Sequence, residues 1–228
     1  RIKSTALTIQ ILLAVVIIGT LISLATVGGI TDKAQDLVDA VEAESGIAAA
    51  EEAFEDQLTG SGLAGMLAGA AGIALIVMSI IWLYRIVKNH VAIRRQVRWA
   101  PGWAIGGWFA PPLLFIIPTL VLRESWTIAN SDPSKPANDN DTAGENPWIW
   151  VWFVLYSLAP LVLMALGVSQ FTALTNTDTV DLAEYYTDES AMITAQSVLS
   201  ILGAGAWAMV VRTLSAKHMD YTGESSAR

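Results

Sequence analysis

From about Thr5 to Ile30 no side chain is charged, and Gln10 is the one strongly polar group. At 1.5 Å rise per residue, such a run crosses a hydrocarbon core of about 30 Å as a single helix. Similar runs extend from about Gly62 to Tyr84, Pro147 to Gln170 and Ala191 to Val211, and their cores also lack Asp, Glu, Lys, Arg and His. In lipid every backbone polar group must be paired within the chain, so runs of this length predict helices. A chain that is 54% hydrophobic and 15% charged, with mean hydropathy +0.50, falls outside the usual soluble range. The expected fold is all-α and integral to the cell membrane: four transmembrane helices, a Pro-broken re-entrant or interfacial segment, and both termini cytoplasmic. Arg1 to Lys3 before an apolar run imitates a signal peptide. The run is too long for one, however, and ends at Gly28-Gly29-Ile30-Thr31 with no small-x-small site.

The segment that decides the layout is Arg94 to Trp126, RRQVRWAPGWAIGGWFAPPLLFIIPTLVLRESW. Its length just permits a crossing, but the Pro111-Pro112 pair at the middle removes two backbone donors and disfavours helix at Ala110. Charge favours a turn back. If the segment re-enters, twelve of the thirteen basic residues share one side, with Lys33 outside; if it crosses, they split seven to six. The positive-inside rule selects the re-entrant layout and sends both acidic stretches outward. The chain then reads as one membrane domain: first span 5–30, outer acidic helical loop 31–60 hinged at Ser45-Gly46, second span 62–84, basic loop 85–100, re-entrant segment 101–123, mobile loop 127–146, third span 147–170, outer loop 171–190, fourth span 191–211 and polar tail 212–228.

Two faces point to helix pairing. Ser61, Gly65 and Gly69 recur every four residues on the second span, and Ser200, Ala204 and Ala208 do so on the last. Small residues at this spacing let backbones approach closely, and the two faces are expected to meet each other or a partner. Trp148, Trp150 and Trp152 cannot share one helical face and read as a belt at headgroup depth. The acidic residues from Asp32 to Asp56 contain no calcium-binding loop and read as a solvated face.

The stretch RWAPGWAIGGWFAPP followed by VLRESW, with WLYR at Trp82 to Arg85 upstream, resembles domain-of-unknown-function family 4328, multi-pass membrane proteins found largely in actinobacteria. The resemblance rests on Asn89, Arg98, Pro101, Gly102, Trp103, Ala104, Gly106, Gly107, Trp108, Phe109, Pro111, Pro118, Arg123, Glu124 and Trp126. It implies a four-helix membrane protein with a motif on the cytoplasmic side, and it transfers no catalytic residue.

The absence of cysteine excludes thiolate metal sites, iron–sulfur clusters and CxxC redox chemistry. His90 and His218 lie outside the apolar runs, so a bis-histidine haem within the bundle is not expected. No nucleophile–base pair, metal set or pair of spaced carboxylates stands out, and no cofactor is expected. PGWAIGGW lacks the lysine and preceding strand of a phosphate loop. Nucleic acid is a poor partner for a chain of net charge -8 whose cations press against the membrane. The expected role is a non-catalytic accessory or assembly subunit of a larger bacterial membrane complex, with a respiratory-chain supercomplex as one host. It would pack through Ser61, Gly65, Gly69, Trp103, Gly106, Gly107, Trp108, Ser200 and Ala204. Two alternatives stay open: a small oligomeric transporter or channel lined by Gln10, Gln196, Ser197 and Ser200, and a sensor binding anionic lipid headgroups through Arg85, Arg94, Arg95, Arg98 and Arg123.

Overall fold

The computed structural model describes residues 2–109, 116–131, 144–159, 162 and 178–224, apart from the side chain of Ser61. Every regular element among them is helical: α1 (Ile2–Glu42), α2 (Ile47–Ala92), the single turn α3 (Trp103–Gly106), α4 (Ile116–Asn130), α5 (Pro147–Phe153) continuing as a π-helical turn (Val154–Leu158), α6 (Thr179–Asp188) and α7 (Ser190–Thr222). Of these, α1, α2 and α7 are long and apolar enough to cross a membrane. Pro111 and Pro112, most of 127–146, the larger part of 160–170 and residues 171–177 lie outside the described residues. The chain divides into two compact units, and the three long helices contribute residues to both.

The first unit holds residues 1–14, 71–157 and 203–228. Each long helix contributes a stripe spaced three and four residues apart, the period of one helical face. On α1 the buried stripe is Ile2, Ala6, Ile9 and Leu13; on α2 it is Ser79, Trp82, Leu83, Ile86, Val87 and His90; on α7 it is Gly203, Ala206, Trp207, Val210, Val211, Leu214, Ser215 and His218. The stripes interlock through polar contacts as well as packing. Trp207 Nε1 donates to Ser79 Oγ at 3.1 Å, and Trp82 Nε1 donates to Ser215 Oγ at 3.0 Å. The two indoles meet edge to face at 5.8 Å. Further along, His90 and His218 lie 3.1 Å apart, as many residues from Ser79 on α2 as from Trp207 on α7. Helices α2 and α7 therefore run parallel and in register. On α1, Gln10 donates to the Ala208 carbonyl at 2.8 Å.

The second unit holds residues 15–70 and 158–202. With 41 residues, α1 extends about 60 Å, twice the thickness of a hydrocarbon core. Its far end packs Ile30, Ala34 and Leu37 against Phe54 of α2 and Ala183 of α6, with Tyr186 edge-on to Phe54 at 6.2 Å. Burying each larger apolar side chain of such a cluster is worth about 1.5–3 kcal/mol where it would otherwise meet water. The hinge falls where expected, with Glu44 at φ 50 and Gly46 at φ 72. Gly46 tolerates that left-handed backbone without the steric cost a side chain would bring. Gly19 has a different reason: a Cβ there would lie 2.6 Å from the Ala68 Cβ, so the antiparallel α1–α2 pair closes on a missing side chain.

Several expected boundaries are corrected. The acidic residues 31–60 do not form separate short helices; they are the last turns of α1 and the first of α2, because Leu37 and Phe54 give both helices an apolar face to bury. Helix α2 continues past Tyr84 to Ala92, and α7 past Val211 to Thr222, because the buried stripes run on to His90 and His218. Residues 127–130, expected in a mobile loop, complete α4, whose Ile128 and Ala129 are buried. Pro118 falls in the first turn of that helix, where its missing N–H costs nothing. Trp152 is no belt residue. It is 2% exposed and packs 4.7 Å from Trp207, whereas Trp148 and Trp150 are each 37% exposed.

Removing the Ser79 or Ser215 hydroxyl leaves a buried indole N–H without an acceptor. Ser215→Ala is expected to cost about 1–3 kcal/mol, seen as a lowered midpoint of thermal unfolding in detergent. An unchanged midpoint would show that the indole finds another acceptor.

Candidate interfacial binding cleft

The residues that follow α2 form a non-helical connection to α3, begun by Arg94 in a left-handed conformation at φ 59. What holds this connection is a carboxylate from α4. Glu124 accepts from the Arg98 backbone N–H through one oxygen and from the Trp99 N–H, at 3.0 Å, through the other. Gly107 lets the neighbouring turn approach, since a Cβ there would lie 2.5 Å from the Ile117 Cγ2 atom and 2.7 Å from the Trp103 carbonyl.

The opposite wall comes from the start of α5. Asn146 caps this helix by accepting from Trp148 N–H at 3.1 Å, Pro147 takes the first helical position, and the Asn146 amide donates to Thr213 Oγ1 at 2.8 Å. Beside the cap, Glu145 forms a salt bridge with Arg123 and accepts from Trp150 Nε1 at 2.8 Å. The Arg123 guanidinium lies 5.0 Å from the Trp150 ring centroid, within cation–π range. Trp126 Nε1 donates to the Gly144 carbonyl at 2.7 Å. Between these walls opens a cleft of about 630 Å³, lined by Gln96 to Trp99, by Leu120, Arg123, Glu124 and Trp126 to Ile128 of α4, and by Glu145, Asn146, Ile149 and Trp150.

Of four charged side chains here, three are already engaged. Glu124 is bonded to backbone, and Arg123 and Glu145 hold each other. Among the described residues the Arg98 guanidinium makes no hydrogen bond or ion pair, and Arg98 is exposed. The indole bond from Trp150, and then the Arg123 bond, hold the Glu145 carboxyl below its ordinary value of 4.5.

The structure thus brings together Arg98, Arg123, Glu124 and Trp126, four positions that carry the family resemblance. Other expected residues lie elsewhere. Arg85 donates to Thr5 Oγ1 at 2.7 Å, Arg94 is exposed, and Arg95 donates to the Tyr221 hydroxyl while its guanidinium sits 5.3 Å from that ring. Trp103 is 45% exposed and meets Trp99 edge to face, whereas Trp108 packs against Trp152 and Trp207. Of the small-residue faces, Gly65 and Gly69 are exposed, and among the described residues nothing lies within 4 Å of where a Cβ would stand, as is true of Gly106; Ser200 is exposed. Ala204 packs against the first unit's core. The close helix approach uses Gly19 instead, whereas at Gly203 a Cβ would meet Leu155 and Tyr156 at ordinary van der Waals distance.

The sequence reading missed the histidines. His90 and His218 are both 0% exposed. With the Asn89 amide donating to His218 Nε2 at 3.2 Å, His218 donates from Nδ1 to His90 Nε2, and His90 Nδ1 has no partner among the described residues. Two titratable groups are therefore buried where α2 and α7 run on past their expected ends. The available signal was the apolar period continuing beyond the expected helix ends.

Two measurements follow from the cleft. Glu124→Gln replaces one acceptor oxygen with a donor facing a backbone N–H, so hydrogen exchange at Arg98 and Trp99 is expected to rise about tenfold or more, the equivalent of one net hydrogen bond; unchanged protection would remove Glu124 as the fastener. Because its folded-state pKa is depressed, Glu145 keeps its contacts above pH 4.5 and loses them as pH falls through the lowered value. Arg123→Gln should move that carboxylate titration, followed by infrared absorption, upward; a midpoint that stays or falls would contradict the assignment.

No curated protein and no solved structure matches the chain. The model of the family described as Domain of unknown function (DUF4328) matches residues 44–216, most of the chain and all of the cleft. The chain is a member of that family.

Proposed function

We propose that the chain is a non-catalytic accessory or assembly subunit of a larger bacterial membrane complex, with a respiratory-chain assembly as the first host to test. In this reading residues 147–170 supply a fourth span, 101–123 re-enters, and both termini and the cleft face the cytoplasm. The imbalance of basic residues between the two sides supports that layout.

The observation that carries the role is how the polar side chains are used. Those best placed for chemistry or transport work as fasteners between helices: Glu124 on backbone, Arg123 on Glu145, Arg85 on Thr5, and the Trp82 and Trp207 indoles on serines. Gln10, the amide a transport path would use, is bonded to the Ala208 carbonyl. Meanwhile, among the described residues, α2 leaves Gly65 and Gly69 open beside Leu63, Met66 and Leu67, which are 67%, 74% and 59% exposed. Lipid solvates leucine well, but an open glycine face gains most from another helix backbone, because dispersion contacts drive helix association in lipid.

The chain is expected to copurify with larger partners in mild detergent. Gly65→Leu with Gly69→Leu should abolish copurification while leaving the isolated chain at least as stable, since both positions are open and leucine is the better helix former. Undiminished copurification by this variant would remove the face, and a monodisperse lone chain from native membranes would remove the role.

A further inference from the structure

We propose that the cleft between the Arg94–Gly102 connection, α4 and α5 seats the phosphodiester of a membrane glycerophospholipid, with the Arg98 guanidinium as its counter-charge. This goes beyond the accessory role and does not depend on it.

Unused donors select an acceptor group. The cleft's four charges cancel, but Glu124 is turned to two backbone N–H groups and Arg123 to Glu145, so among the described residues the cleft guanidinium whose N–H groups are left for a ligand is that of Arg98. A guanidinium presents forked N–H donors that match the oxygens of a phosphate. Gln96 and Thr127 line the same cleft and add polar groups beside it. At about 630 Å³ the space exceeds what a bare phosphate would fill.

The rest of the lining selects an amphiphile. Val97, Leu120 and Ile149 give the cleft an apolar part that an inorganic anion would not use, whereas glycerol and the first acyl carbons would. Trp99, Trp126 and Trp150 border it, and indoles settle where one end is apolar and the other wet, at the depth of lipid phosphates. These walls are already fixed: Trp126 is bonded to the Gly144 carbonyl, and Trp150 is bonded to Glu145 and stacked by Arg123. Binding therefore orders few side chains, which lowers its entropic cost.

The test is native mass spectrometry of the full chain released from nanodiscs containing phosphatidylglycerol and phosphatidylcholine. The wild type is expected to retain one phospholipid. Arg98→Glu should reduce retention about tenfold, Lys217→Glu should leave it unchanged, and Leu120→Trp, which fills the cleft without changing charge, should also reduce it. Helical circular dichroism identical to wild type qualifies each variant. Equal retention by wild type and Arg98→Glu would overturn the proposal, as would retention that glycerol 3-phosphate displaces, since the ligand would then be a soluble phosphate.

Discussion

The parallel register of α2 and α7 rests on two indole N–H groups that find serine acceptors across the interface. A buried N–H without a partner costs about 1–3 kcal/mol, and Trp82 and Trp207 each tie their helix to a serine on the other. Their edge-to-face contact and the histidine pair extend the same alignment along both helices. Apolar stripes in lipid gain little from the hydrophobic effect and could slide by a turn. Directional bonds at separated points along one interface remove that freedom.

Once α2 and α7 are aligned, the connection after α2 has a defined starting point, and Glu124 completes its placement by holding two consecutive backbone N–H groups. The motif's polar residues then read as architecture. Glu124 folds the connection onto α4, Arg123 ties α4 to the residues before α5, and Gly107 allows α3 to approach Ile117. Only after these contacts form does a cleft exist, and they account for three of its four charges. The ligand-facing chemistry is therefore the remainder of a structural network, which is why Arg98 stands out within a cluster of similar arginines.

The fold class and the positions of the long helices were legible because lipid imposes a simple rule: an uncharged run of sufficient length must be helical. The hinge at Ser45-Gly46 was legible because Gly46 supplies a conformation most residues avoid. Helix ends were not, because charged residues such as Arg85 and Lys217 mark a polar environment and not a break in the helix. The apolar period passes between them on another face. Spacing alone does not say which small residue meets a neighbour within the chain; among the described residues Gly19 makes such a contact and Gly65 does not.

Sequence alone determined that this chain carries apolar runs long enough to cross a membrane, is helical, and holds a proline-broken motif between basic and apolar stretches, since each follows from local composition and backbone chemistry. Only the tertiary structure decided that Trp152 is core while Trp150 is rim, that His90 meets His218 across 128 residues of chain, and that Arg98 is the cleft cation whose guanidinium makes no bond among the described residues. Those outcomes depend on which side chains meet between helices. Periodicity assigns a residue to a face, but the partner of that face is set by the mutual satisfaction of donors and acceptors across the fold.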